Sequence, residues 1–235
     1  AQLIGKIVPP PVAPHVVDRP RITAYLETAP HRRVTVLSAG AGFGKTTVFT
    51  CCAGQRHLHW NTLSSPDRHS VALARGLVAS LALRVPALPD DLAPALDARG
   101  PDADAEDASA ALVPALAGAL HALLPSDVTL VIPDLHELDA GAAALRVIAD
   151  LCHMAPPRLH VVLATRSDLP FATERLRLHG QLQILTAESL GFDAVMQVHC
   201  RRAPRLLLGV DQLPCISLEP FLLAFRQPGA REELT

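Results

Sequence analysis

Residues 34–47 constrain the fold of this chain more than any other stretch. They read Val-Thr-Val-Leu-Ser-Ala-Gly-Ala-Gly-Phe-Gly-Lys-Thr-Thr, an apolar and β-branched run followed by glycines, a lysine and two threonines. This order predicts a strand, a phosphate-binding loop and a helix. The stretch therefore predicts that the chain binds a nucleoside triphosphate.

Each residue type in the loop has a chemical reason. Gly42 and Gly44 let the backbone curl so that its N–H groups face phosphate oxygens, and the helix N-terminus adds partial positive charge. Lys45 would reach the β- and γ-phosphates, Thr46 would supply a hydroxyl ligand to Mg²⁺, and Thr47 would meet the α-phosphate. The predicted nucleotide-binding residues are Gly40, Ala41, Gly42, Phe43, Gly44, Lys45, Thr46 and Thr47.

The alternative is that these glycines form only a flexible turn between a strand and a helix. Lysine usage argues against it, because Lys6 and Lys45 are the two lysines among 21 basic residues. A compact ammonium fits between phosphates where a planar guanidinium does not. The usual Gly-x-x-x-x-Gly-Lys-Thr spacing has glycine where this chain has Ala39.

Composition limits the remaining classes of function. The 235 residues are 49% hydrophobic and 3% aromatic, which favours one α/β domain with a core of Leu, Val and Ala. A net charge of −2 gives no electrostatic case for nucleic-acid binding, and no apolar run is long enough to cross a membrane. Five cysteines without a C-x-x-C pair and scattered histidines favour neither a disulfide framework nor a metal cluster. We expect a cytoplasmic protein.

Apolar runs at 34–38, 58–63, 128–132, 159–164 and 182–186 alternate with helical patterns. Strand alternating with helix predicts a parallel sheet with helices on both faces. The proline-rich residues 7–14 are predicted to be an extended arm, followed by a short helix at 20–26. Residues 85–108 are predicted to be a surface excursion, and residues 108–124 a helix.

A second group of chemical interest follows the run at 128–132. Asp134 comes after a buried strand, where a carboxylate can serve Mg²⁺ or orient an attacking water. The alternative is a turn or helix N-cap aspartate. Glu137 is a weaker candidate, because its position predicts a first helical turn.

The third group is Thr165-Arg166, at the end of the run at 159–164. Loops at the carboxyl ends of parallel strands line the ligand crevice, so Arg166 is predicted to face the γ-phosphate. The alternative is a surface ion pair with Asp168.

Together these pieces resemble the nucleotide-binding domain of STAND-type (NB-ARC/NACHT-like) ATPases, specifically of the large MalT-like, LuxR-family transcriptional regulators of bacteria. The resemblance covers about residues 6–195. It rests on Lys6-Ile-Val-Pro-Pro-Pro-Val-Ala-Pro, Val17-Asp-Arg-Pro-Arg, the phosphate loop, His59-Trp-Asn-Thr-Leu, Val161-Val-Leu-Ala-Thr-Arg-Ser-Asp and the run 175–182. Ala39 in place of the first glycine is usual in that family.

The resemblance implies an ASCE/STAND-type P-loop NTPase fold that binds ATP or ADP with Mg²⁺. It implies that Arg19 lies near the adenine or ribose, that Lys45 and Thr46 hold phosphate and Mg²⁺, and that Arg166 is a sensor. Pro133 replaces the first acid of the family's Asp-Asp pair, which predicts impaired Mg²⁺ positioning and slow hydrolysis. Asp134 is then the remaining candidate for catalysis and, with Thr46, for the metal.

The predicted organisation has three parts. Residues 1–30 form a proline-rich arm and short helix, residues 31–195 the ATP-binding domain, and residues 196–235 a divergent or truncated tail. The tail lacks the family's lid, repeats and DNA-binding helices, so we expect no direct DNA contact and no membrane contact. Nucleotide is the expected ligand, with protein partners or self-association open.

Three functions remain open at this point. The first is a nucleotide-dependent regulatory switch that is at most a slow ATPase. The second is a small P-loop phosphotransferase, and the third a degenerate scaffold without catalysis. The sequence offers no evident base for a phosphate acceptor, which disfavours the second, whereas the intact Gly-Lys-Thr-Thr disfavours the third.

Overall fold

The computed structural model of this chain describes residues 2–11, 19–27, 32–53, 58–90, 92, 105–139 and 141–191. The predicted tail at 196–235 lies outside the described residues, as do residues 91 and 93–104 of the predicted excursion and residues 12–14 of the predicted arm. The three-part division of the chain stays a prediction.

The strands form one parallel sheet. They are β1 (Val34–Ser38), β2 (Leu58–Trp60), β3 (Val128–Ile132), β4 (Leu159–Thr165) and β5 (Leu182–Thr186), in the order β2-β3-β4-β1-β5. The described helices are α1 (Gln2–Ile7), α2 (Pro20–Glu27), α3 (Lys45–Ala53), α4 (Ser70–Ala82), α5 (Ala105–Leu123), α6 (Ala143–Met154), α7 (Glu174–Leu178) and α8 (Ala187–Leu190). The parallel sheet predicted from the apolar runs is confirmed.

Side chains on the two faces of the sheet alternate and enter two separate cores. On one face Val36 and Leu163 pack with α4, α5 and α6, in a large core that includes Leu77 and Ile148. On the other face Leu37 packs in a smaller core with residues of α2 and α3. Successive strand residues point to opposite faces, and in these strands the residues on each face are apolar. Both faces are covered by helices, as predicted.

Strand β2 is shorter than predicted. The Asn61 N–H still donates to the Val131 carbonyl (2.9 Å), but the Thr62 N–H turns to the Lys6 carbonyl of α1 (2.8 Å). The apolar run at 58–63 therefore leaves the sheet after Trp60, because α1 takes the next backbone donor.

Two predictions about irregular segments were partly wrong. Ile7 belongs to α1, whereas residues 8–11 are irregular as expected. Val85, Leu88 and Leu92 are buried in the larger core, so the start of the predicted surface excursion belongs to the interior. Apolar residues spaced three and four apart bury one face even in a proline-rich segment.

The predicted helices lie close to their expected bounds. Helix α2 begins at Pro20, where a missing N–H costs nothing, and α5 begins three residues before the predicted 108. No helix among the described residues is long and apolar enough to cross a membrane. Cys152 is buried in α6, and burial raises the pKa of its thiol to about 12.

Candidate functional site

The loop between β1 and α3 lies at the carboxyl edge of the sheet. Gly42 and Gly44 have φ values of 83° and 71°, a region that side chains with a Cβ rarely occupy. The Ala39 N–H donates to the Thr165 carbonyl (3.2 Å), and the Val48 N–H donates to the Gly44 carbonyl (2.9 Å). The loop is thus fixed to β4 at its start and to the first turn of α3 at its end.

Lys45 begins α3 and folds back over this loop. Its Nζ donates to the carbonyls of Ala39 (2.6 Å) and Gly40 (2.8 Å), and the residue is 7% exposed. Burial lowers the pKa of Lys45, Asp134 opposes that shift and Arg166 adds to it. An ammonium has three hydrogens, so one remains for a phosphate oxygen. Asp134 and Arg166, two other predicted site residues, are therefore near enough to Lys45 to affect its pKa.

The end of β3 has an unusual backbone. Pro133 is buried, and Asp134 has φ 58° and ψ 43°, the one positive φ outside glycine in the described part of the chain. Such a conformation costs about 1 kcal/mol or more and is typical of functional sites. Asp134 precedes a short 3₁₀ helix, Leu135–Glu137, but makes no side-chain capping bond, and its side chain is 41% exposed. The carboxylate remains available to a ligand.

His136 is a residue that the sequence analysis assigned no role. Its side chain is 16% exposed, and both ring nitrogens are shielded from solvent without a hydrogen-bond partner among the described residues. Nδ1 lies 3.9 Å from Asp134 Oδ1, and Nε2 lies 3.5 Å from Glu137 Oε1. The sequence feature that could have indicated a role for His136 is its position two residues after Asp134. One 3₁₀ turn brings a residue at that spacing back beside the carboxylate.

Arg166 follows β4 and is exposed. Both Arg166 and Asp168 are described, and they form no ion pair. Arg166 instead contributes to the lowered pKa of Lys45. Ser38 Oγ of β1 donates to the Ser167 carbonyl (3.1 Å), and the Ser167 N–H donates to Thr165 Oγ1 (3.3 Å). These bonds tie the Arg166 segment to the strand that carries the phosphate loop.

Arg19 lies against the phosphate loop. Its Nη1 donates to the Phe43 carbonyl (3.0 Å) and to the Leu190 carbonyl of α8 (2.9 Å). The contact with adenine or ribose that the resemblance implies stays a prediction. Thr46 and Thr47 are half-buried in the first turn of α3, as the sequence order requires.

The strand order separates the loop strand from the acidic strand. Strand β4, which carries Arg166, lies between β1 and β3. A phosphate loop after β1, an acid after β3 and an inserted β4 define the ASCE/STAND-type P-loop NTPase fold. The chain has this fold.

Comparison with known proteins agrees with this class. The HTH-type transcriptional regulator MalT of Yersinia pestis (strain Pestoides F) is 27% identical over 221 residues, which cover 90% of this chain and 23% of the relative. MalT of Yersinia pseudotuberculosis (serotype O:1b) gives the same values. The chain therefore spans about a quarter of the length of these relatives. No family model matches the chain.

A solved structure shows the same fold. It is a Signal Transduction ATPase with Numerous Domains (STAND) protein with a tetratricopeptide repeat sensor from Pyrococcus horikoshii, with a TM-score of 0.52 and 14% identity, covering 92% of this chain and 28% of that chain. The predicted resemblance to the nucleotide-binding domain of MalT-like regulators is confirmed by these similarities.

Proposed function

We propose that this chain is an ATP- and ADP-binding switch domain of a MalT-like transcriptional regulator, with slow ATP hydrolysis at most. The observation that carries the proposal is the loop itself. Gly42 and Gly44 adopt positive φ directly before the buried ammonium of Lys45, on the strand order of a P-loop NTPase. The transcriptional-regulator relatives support the regulatory role.

The donor set suits a triphosphate. Loop N–H groups and the first turn of α3 provide partial positive charge, and Lys45 provides a full charge that its present carbonyl partners do not neutralise. Thr46 and Asp134 supply the oxygen ligands that Mg²⁺ prefers, and Asp134 already interacts electrostatically with Lys45. When bound, Mg²⁺ would neutralise phosphate charge.

The end of β3 supports slow hydrolysis. Where the family has its first acid, this chain has a buried proline, so Asp134 is the one carboxylate at the strand end for both the metal and the attacking water. His136 lies against Asp134 and is suited to hold its carboxylate in place. Loss of one electrostatic contact in a transition state commonly costs about 100-fold in rate.

Arg166 is proposed to report whether the γ-phosphate is present. It is exposed at the carboxyl end of β4, near enough to Lys45 to lower the pKa of that ammonium. An arginine here can donate two parallel hydrogen bonds to a phosphate. The presence or absence of the γ-phosphate would then change the conformation of the segment after β4. It would also change the surface that this segment offers to protein partners.

Calorimetric titration with MgATP and MgADP tests the function. The parent should bind both, and Lys45→Ala should weaken binding by about ten- to a hundred-fold, because a charge-assisted contact is worth about 1.5 to 3 kcal/mol. Lys45→Arg should also bind weakly, since a guanidinium does not fit the buried space beside the Ala39 and Gly40 carbonyls.

Arg146→Ala is the matched control, because it removes an exposed positive charge from α6. It should bind as the parent does, with folding of every variant checked by circular dichroism. Equal binding by the parent and Lys45→Ala would refute the proposal.

A further inference from the structure

A single nitrogen atom of Arg19 connects the phosphate loop to the last described helix. Nη1 donates to the carbonyls of Phe43 (3.0 Å) and Leu190 (2.9 Å), residues that lie 147 positions apart. A guanidinium nitrogen of this kind carries two hydrogens, so both bonds can exist together. Movement of either carbonyl therefore changes the geometry at the other.

The loop end of this bridge belongs to the peptide unit that joins Phe43 and Gly44 in the predicted phosphate loop. The Phe43 carbonyl and the Gly44 N–H are parts of one planar trans unit, so they point in opposite directions. A charged donor on the carbonyl polarises the unit and makes its N–H a stronger donor. Arg19 can thus act on the Gly44 N–H through the peptide backbone.

Gly44 has two reasons to be glycine. Its φ is +71°, and a Cβ added there would lie 2.8 Å from Arg19 Nη2. The absence of a side chain thus permits both the loop turn and the approach of the guanidinium. Arg19 and the loop backbone fit each other closely.

The other end of the bridge lies where α8 ends. Leu190 is buried in the smaller core, and Gly191 is the last residue that the structure describes. Arg21 Nη2 donates to the neighbouring Ser189 carbonyl (2.7 Å) and, unlike Arg19, makes no hydrogen bond to the phosphate loop among the described residues. Two arginines, one on each side of Pro20, therefore hold consecutive carbonyls of α8, but one of them also reaches the phosphate loop.

We propose that Arg19 is a positioning residue that transmits nucleotide occupancy from the phosphate loop to the C-terminal end of α8. The inference rests on the proposed nucleotide binding. Phosphate on the Gly44 N–H reorients the peptide unit 43–44, the Phe43 carbonyl moves relative to Nη1, and the Leu190 bond adjusts.

Millisecond hydrogen exchange with mass spectrometry tests the coupling on fragments covering residues 187–191. Saturating MgADP or MgATP should change the exchange rate of these fragments at least about threefold in the parent. Arg21→Gln is the matched control and should respond as the parent does. In Arg19→Gln the nucleotide-dependent difference should disappear, although calorimetry at the same concentrations still detects bound nucleotide.

A second measurement needs no variant. In the parent labelled with ¹⁵N, nucleotide should shift both the Arg19 Nη signals and the Gly191 amide signal. Nucleotide that binds without either effect would overturn the coupling alone, as would an undiminished exchange difference in Arg19→Gln. Absence of binding by the parent would overturn the proposed function and the coupling with it.

Discussion

Lys6 and Asp67 form an ion pair that joins α1 to the segment after β2. The Asp67 side chain is 1% exposed and also accepts hydrogen bonds from the Ser64 N–H (2.6 Å) and Ser64 Oγ (2.7 Å). Gly76 of α4 lies beside the ion pair, because a Cβ there would be in ordinary contact with Lys6 Nζ (3.5 Å) and would crowd Asn61 Oδ1 (2.8 Å). Like Lys45, Lys6 occupies a confined site that suits an ammonium.

Lys6→Ala should lower the free energy of unfolding by about 2 to 3 kcal/mol, because it leaves a buried carboxylate without its cation. Urea denaturation measures the change. The double variant Lys6→Ala/Asp67→Asn should recover part of the loss. A single variant as stable as the parent would show that the ion pair contributes nothing.

Arg166→Ala should lower the affinity for ATP by about tenfold and leave the affinity for ADP nearly unchanged. The reason is that the other expected contacts are common to both nucleotides. Calorimetric titration with each nucleotide gives the ratio of affinities. Asp168→Ala is a suitable control two residues away. Equal losses for ATP and ADP would indicate a structural role for Arg166.

Pro133→Asp should raise the single-turnover rate of ATP hydrolysis by about 100-fold, because it restores the missing carboxylate. Binding should change much less, since loop N–H groups and Lys45 supply most phosphate contacts. Circular dichroism checks that the buried position tolerates the charge. A parent that already hydrolyses ATP at about 1 s⁻¹ would contradict the argument.

His136→Ala should lower the hydrolysis rate about tenfold in the Pro133→Asp background, because a misplaced Asp134 no longer orients water. The Michaelis constant for ATP should stay the same, which a general loss of folding would not produce. His136→Asn should restore part of the rate. An unchanged rate would show that His136 has no role in positioning Asp134.

As the pH rises, affinity for nucleotide should begin to fall at a lower pH than it would if Lys45 had the usual pKa of lysine. Burial lowers the pKa of Lys45 in the free protein, whereas phosphate favours the ammonium and raises it in the complex. Between these two pKa values binding takes up a proton, and affinity falls by up to about tenfold per pH unit. Calorimetry in two buffers of different ionisation enthalpy measures the proton. Lys45→Ala should show no uptake from this group.

The local pattern of the chain determined the central part of the fold. Apolar runs predicted β1, β3 and β5 at their observed bounds. For β1 and β3 the reason is that strands buried on both faces are apolar along their length, whereas β5 lies at the edge of the sheet and is partly exposed. The Gly-Lys-Thr-Thr run predicted the loop and α3 because its residue types also reflect local requirements. Positive φ and a helix N-terminus are local requirements that residue types reveal.

The tertiary structure decided what depends on residues distant in sequence. Strand order alone placed β4, and with it Arg166, between β1 and β3, and only the fold brought Asp134 into the field of Lys45. The bond from Arg19 to Leu190 joins residues that no periodicity connects. Hydrophobic periodicity specifies which face of an element is buried, but the partner on that face is chosen by packing across the whole chain.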